Sequence, residues 1–154
     1  MATDVDKPYR YAECGLENVY VHGLSPLTDD EGEEVYGIQN VNGLHKAIAS
    51  SIVTYSAAMS GKQLRFLRTE MGFTQAEVGK MVHKEALTVG RWEREECPID
   101  TNADTIIRLV AIERLSLKPE LSVEDLAGLS VQKAAPHVID IDGEDPKNYR
   151  PLAA

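Results

Sequence analysis

Apolar residues change their spacing along this chain, and the changes divide it. From Pro8 to Val41 the interval is two: Tyr9 and Tyr11 flank Arg10, Val19 and Val21 alternate with Tyr20 and His22, and Val35 to Val41 comes after a polar loop. Alternation of that kind sends successive side chains to opposite faces of a strand, so short strands are expected. Gly23 to Glu34 contains Ser-Pro, Asp-Asp and Glu-Gly, turn formers that suit a hairpin connection. After Gly43 the interval lengthens. Leu44, Ile48, Ile52 and Tyr55, with Ala47 beside them, mark one face of a helix that ends near Ala57 and joins the β piece to the next unit.

From Ser60 to Leu115 the pattern predicts four closely spaced helices. The first is capped by Ser60, turns Leu64, Leu67 and Met71 inward and Lys62, Arg65 and Arg68 to another side, and stops at Gly72. The second starts at Thr74, whose partner Glu77 three positions on makes a capping box, and faces the core with Val78 and Met81. The third covers Glu85 to Arg94 and buries Val89 and Trp92; Pro98 bars its continuation. The fourth, capped by Thr101 or Asn102, is apolar on more than one face from Ile106 to Leu115. A short helix is expected from Ser122 to Leu129. The expected fold is therefore mainly α: a small β-hairpin or ribbon-like piece over 1–42, a connecting helix over 43–59, a four- to five-helix domain over 60–130, and an acidic, mobile tail over 131–154.

The 154 residues, 43% hydrophobic and 27% charged, fit one globular domain with a small appendage. A β unit of about 35 residues is below the size that supports itself, so it must pack on its neighbour. The net charge of −9 rules out binding a polyanion by bulk attraction. The charge is unevenly spread, at −6 over residues 1–59, +1 over 60–96 and −4 beyond. The middle segment holds Lys62, Arg65, Arg68, Lys80, Lys84, Arg91 and Arg94, so any DNA contact is expected there. Cys14 and Cys97 are 83 positions apart and form neither a redox pair nor a zinc ribbon, which fits two thiols in a reducing cytoplasm. No secretion signal or membrane span is apparent, and a cytoplasmic protein with no membrane partner is expected.

Leu67-Arg68, Gly72-Phe73-Thr74-Gln75, Val78-Gly79 and Thr88-Val89-Gly90-Arg91-Trp92-Glu93 agree in spacing with one motif. The stretch from Gly61 to Glu95 resembles the Xre family of helix-turn-helix proteins, the group that includes lambda-type phage repressors, and the resemblance as a whole covers roughly 55 residues of the chain. Two helices crossing over a tight turn need a small residue where they touch, and Gly79 supplies it at about 1 kcal/mol of helix propensity. His83 stands where the turn is left-handed; histidine tolerates positive φ at some cost.

The resemblance implies that the Glu85–Arg94 helix lies in a major groove with its N-terminal end toward base edges. Ala86, Leu87, Thr88 and Arg91 are then the readers. Arg91 can donate two bonds to guanine O6 and N7, worth about 1–3 kcal/mol of discrimination. Ala86 and Leu87 suit thymine methyls, and Thr88 can offer its methyl or its hydroxyl. Gln75, at a helix N-terminus, is expected on a phosphate, with Lys84 and Arg94 on the backbone and Lys62 or Arg65 as outer neighbours. In the family the Arg of Leu-Arg often pairs with the Glu of Trp-Glu, which implies a structural Arg68–Glu93 pair. Val78, Gly79, Val89 and Trp92 form the motif's interior.

Ahead of this motif, Tyr11-Ala12-Glu13-Cys14-Gly15-Leu16 resembles the first knuckle of the zinc ribbon in MqsA-like antitoxins. The ribbon is degenerate: Cys14, His22, His45 and His83 contain no close ligand pair, so no metal is expected. Cys14 with His22 or His45 is the one nucleophile-and-base combination, and neither it nor any phosphate loop or dinucleotide fingerprint points to an enzyme or a cofactor.

The function implied is a DNA-binding transcriptional regulator, an autoregulating repressor or antitoxin that reads a near-palindromic operator as a homodimer. Its dimer surface is expected around Ile107 to Ile112, joined by the Ser122–Leu129 helix, and a toxin or effector protein is expected on residues 9–57. The alternative is a protein-interaction module on the same scaffold that neutralises a partner without touching DNA.

Overall fold

A computed structural model describes residues 7–130 and 138–152. Among them are six helices: α1 (Val41–Thr54), α2 (Gly61–Met71), α3 (Gln75–Val82), α4 (Ala86–Glu93), α5 (Thr101–Arg114) and α6 (Val123–Ala127). Six short strands accompany them: β1 (Tyr9–Arg10), β2 (Val19–His22), β3 (Leu27–Thr28), β4 (Glu34–Val35), β5 (Ile139–Asp142) and β6 (Arg150–Pro151). None of these helices is long and apolar enough to cross a membrane. The described residues form two compact units, 7–48 with 138–152 and 49–130, and the division falls within α1.

In the first unit a four-stranded sheet runs in the order β1-β2-β5-β6. β2 and β5 pair in parallel with Val19 opposite Ile139 and Val21 opposite Ile141, and these four side chains are buried together on one face. The mobile tail expected over 131–154 is thereby corrected: residues 138–152 supply an inner strand and an edge strand, while 131–137 and 153–154 lie outside the described residues. The physical reason is pairing at long range. Ile139-Asp140-Ile141-Asp142 is too short and acidic to look like a core strand until β2 lies beside it. The acids are then partnered, Asp140 by His22 at 2.7 Å and Asp142 by Arg150 at 3.6 Å. Tyr149 closes the segment by donating its hydroxyl to the Gln39 carbonyl, and burial pushes its pKa up.

The hairpin expectation is also revised. The loop Gly23–Glu34 is not a bare connection, because Leu27–Thr28 and Glu34–Val35 pair antiparallel as a separate two-stranded sheet. The run Val35–Val41 is not one strand either; Val41 already begins α1, which ends at Thr54 rather than near Ala57.

In the second unit, α2 to α5 enclose a core of Leu64, Leu67, Val78, Val89, Trp92 and Ile107. The caps read from the sequence hold. Ser60 accepts from the Gln63 N–H and Thr74 from the Glu77 N–H, and each bond is returned by the side chain at N3, making two capping boxes. Asp100, rather than Thr101 or Asn102, caps α5, accepting from the Ala103 N–H at 3.1 Å. Val82, not Met81, completes the inward face of α3. On α5, Ile107 and Ala111 are core residues, whereas Ile106, Leu109, Val110 and Ile112 remain half-buried. Ile107 is thus removed from the expected dimer surface.

α5 also buries a charged pair. Arg108 and Asp104, one helical turn apart, are 1% and 0% exposed and bonded to each other. Arg108 also donates to the carbonyls of Val53, Tyr55 and Ala57, and Asp104 accepts from the Met59 N–H at 2.7 Å. The carbonyls at the end of a helix and in the segment that follows it have no partner within the helix, and the buried guanidinium supplies Val53 in the last turn of α1 and Tyr55 and Ala57 just beyond it.

Candidate nucleic-acid interface

α3 and α4 are joined by His83, Lys84 and Glu85. His83 ends α3 in the left-handed conformation, φ 59° and ψ 42°, as its position in the sequence led one to expect. The N–H groups of His83 and Lys84 both turn back to the Gly79 carbonyl, the second at 2.8 Å. A Cβ on Gly79 would stand 2.5 Å from the Lys84 carbonyl oxygen, so only glycine lets the turn fold back this closely.

α4 is fixed from below by its buried face, Val89, Gly90 and Trp92, and at its C-terminal end by Glu93. The Glu93 carboxylate, 4% exposed, accepts two bonds from Arg68 Nε at 3.2 and 2.9 Å and one from Nη2 at 2.8 Å. Arg68 Nη1 donates onward to the Phe73 carbonyl at 3.0 Å, tying α2, the turn before α3, and α4 together. Removing one member of such a pair strands the other, at a cost of about 3–5 kcal/mol.

Gln75 joins the same cluster. Its Nε2 donates to Glu93 Oε2 at 3.3 Å and its amide lies over Gly90, where a Cβ would meet Oε1 at 3.3 Å. The amide expected on a phosphate is already a brace between α3 and α4, although one of its N–H groups and its position at the helix start stay available. Arg94 also lies against Gly90, where a Cβ would meet Nη1 at 3.0 Å, and is held by Glu96, with Nε at 3.1 Å from Oε1. That bond, reinforced by the opposite charges, raises the Arg94 pKa and holds the Glu96 carboxyl below its ordinary value. Glu96 engages Nε and Nη2 of Arg94, so a phosphate that approaches Arg94 competes with Glu96 for those two donors.

On the outer side Leu87 and Arg91, one turn apart, are exposed, Ala86 and Thr88 are half-buried, and Lys84 is exposed in the turn. Among the described residues the Arg91 guanidinium makes no hydrogen bond; its charge helps to hold the nearby Glu96 carboxyl low, and its backbone carbonyl accepts from the Glu96 N–H at 3.0 Å. Glu85, the N-cap, makes no side-chain bond to the first turn of α4. The helix therefore presents a guanidinium, a leucine and uncapped backbone N–H groups from a base that cannot rotate. That combination suits an acceptor-rich, anionic surface.

The other named residues are dispersed. His45 Nε2 lies 2.7 Å from the Tyr11 hydroxyl, Cys14 Sγ donates to the Tyr11 carbonyl at 3.5 Å, and no disulfide joins Cys14 to Cys97. Among the described residues no three His, Cys, Asp or Glu side chains converge as a metal would require. Sequence reasoning missed Glu96 as the holder of Arg94 and Glu93 as the partner of Gln75. The first has a local signal, an arginine two positions before a glutamate; the second has none. No protein-family model, curated protein or solved structure matches the chain.

Proposed function

We propose that this protein is a sequence-specific DNA-binding transcriptional regulator, an Xre-type repressor or antitoxin that controls its own promoter, with α4 as the helix that enters the major groove. The observation that carries the reading is the contrast between the two sides of α4. Its inner side is locked through Gly79, Trp92 and the Arg68–Glu93–Gln75 cluster, and its outer side leaves the Arg91 guanidinium without a hydrogen-bonded partner among the described residues. Arg91 reads a guanine; Leu87 and Ala86 pack on thymine methyls; Thr88 takes a neighbouring edge; Lys84 and Arg94 meet the phosphates.

The half-buried stripe of Ile106, Leu109, Val110 and Ile112, with Val123 of α6 at 64% exposure, is the surface offered to a second copy. Two such copies would read half-sites about 10 base pairs apart in a near-palindrome. The first unit is the part that receives a toxin or effector protein. A protein-interaction role for α4 is the competing reading, and Leu87, at 56% exposure, favours it. A gel shift on the promoter of the protein's own gene separates the two. The regulator retards the fragment at low salt and Arg91→Ala does not; absence of retardation by the native chain at low salt eliminates the DNA reading.

A further inference from the structure

Three of the nine large apolar side chains exposed among the described residues, Leu27, Val35 and Tyr36, belong to the β3–β4 hairpin. Leu27 lies opposite Val35 and Thr28 opposite Glu34. Opposed residues in an antiparallel pair share a face, so Leu27 and Val35, 42% and 43% exposed, form an apolar pair on one side. Every residue from 25 to 37 is exposed. The turn is nonetheless well made: Asp29 Oδ1 accepts from the N–H groups of Glu31 at 2.9 Å and Glu33 at 2.8 Å, and the Asp29 N–H donates to the Glu33 carbonyl at 2.9 Å. A two-stranded hairpin with neither face covered is marginal in water, and a shaped turn that presents uncovered apolar residues fits a docking element.

Charge selects the occupant. Asp29, Asp30, Glu31 and Glu33 lie in the turn next to the apolar pair, Glu34 lies on the other face of β4, and no lysine or arginine occurs between Arg10 and Lys46. A field of one sign repels nucleic acid, anionic lipid and a second acidic copy of the same hairpin, and it attracts a basic protein surface. We propose that the β3–β4 hairpin docks a basic protein partner, with Leu27 and Val35 entering an apolar depression whose Lys and Arg rim meets Asp30, Glu31 and Glu33. This rests on the partner-binding half of the function proposed above and specifies both the place and the chemistry of the partner. The acids set the rate of encounter and the apolar pair sets the residence time, so the two kinds of substitution separate kinetically.

The probe is a phage-displayed library of random peptides selected on the immobilised full chain. Enriched peptides combine Lys or Arg with apolar residues. Their dissociation quickens about tenfold on L27S/V35S, while on D30N/E31Q/E33Q their association slows and loses its salt dependence. Arg91→Ala binds them as the native chain does. All the substituted side chains are exposed, and unchanged amide exchange in β2 and α1 verifies the fold of each variant. Basic peptides indifferent to both hairpin variants overturn the site and leave partner binding standing. Neutral or acidic peptides, or none, overturn the partner chemistry and leave the DNA assay unaffected. A native oligomer that L27S/V35S dissociates assigns the hairpin to a second copy and overturns the proposal.

Discussion

Arg91 and Glu93 stand two positions apart in α4 and have opposite duties. Glu93 turns inward to Arg68 and Gln75, while Arg91 faces solvent. Their directions follow from helix geometry, since Glu93 neighbours buried Trp92 and Arg91 lies one turn from exposed Leu87. That much is legible in a sequence in which Val89 and Trp92 define the inner face. The Gln75–Glu93 bond is not legible, because two polar residues 18 positions apart carry no periodic signal. Two outcomes are expected at this scale. Arg91→Lys keeps the charge but loses the paired donors, so it retains nonspecific DNA affinity and loses about 1–3 kcal/mol of discrimination, read from competition between operator and scrambled duplexes. Gly79→Ala gains helix propensity but drives a methyl toward the Lys84 carbonyl, so it destabilises the second unit by about 1–3 kcal/mol in urea unfolding despite that gain.

Among the elements, capping was the most readable feature. Ser60 and Thr74 cap helices where local chemistry places them, and His83 adopts the left-handed conformation that its position in the turn demanded. A single exposed residue at φ 59° is strained when it carries a Cβ, so His83→Gly should raise the unfolding midpoint by an amount equivalent to roughly 0.5–1 kcal/mol. The buried pair on α5 was hidden for a physical reason. An Asp and an Arg four positions apart on a helix ordinarily form a solvated pair, and only the arrival of the carbonyls from the end of α1 and the segment after it makes this one interior. Arg108→Met strands Asp104 and three carbonyls and should cost about 3–5 kcal/mol in urea unfolding. Adding Asp104→Leu should recover part of that loss; a double variant weaker than the single one would refute the stranded-charge account.

At the scale of the whole molecule the chain order misleads. Acidic composition and prolines made the C-terminal segment look like a tail, yet β5 lies between β2 and β6 and buries Ile139 and Ile141 against the valines of β2. Nothing local announces a strand whose partner lies about 120 positions earlier, and parallel pairing at that separation is the least local contact a sheet can make. A chain ending at Ser130 should therefore lose amide protection over residues 9–22 and keep it over α2 to α5; protection retained in both would mean that β5 is dispensable. The charge distribution works at this scale as well. With −9 overall and one near-neutral segment bearing α4, the proposed DNA binding would have to be local and shape-matched, and its salt dependence should be shallow for a regulator.

The most direct test of α4 as a reading helix is selection of bound duplexes from a random-sequence pool by the full chain at low salt. The account predicts convergence on a near-palindrome with half-sites about 10 base pairs apart, each containing a guanine whose preference disappears with Arg91→Ala. A pool that never converges, or one whose consensus is identical for the native chain and Arg91→Ala, contradicts it.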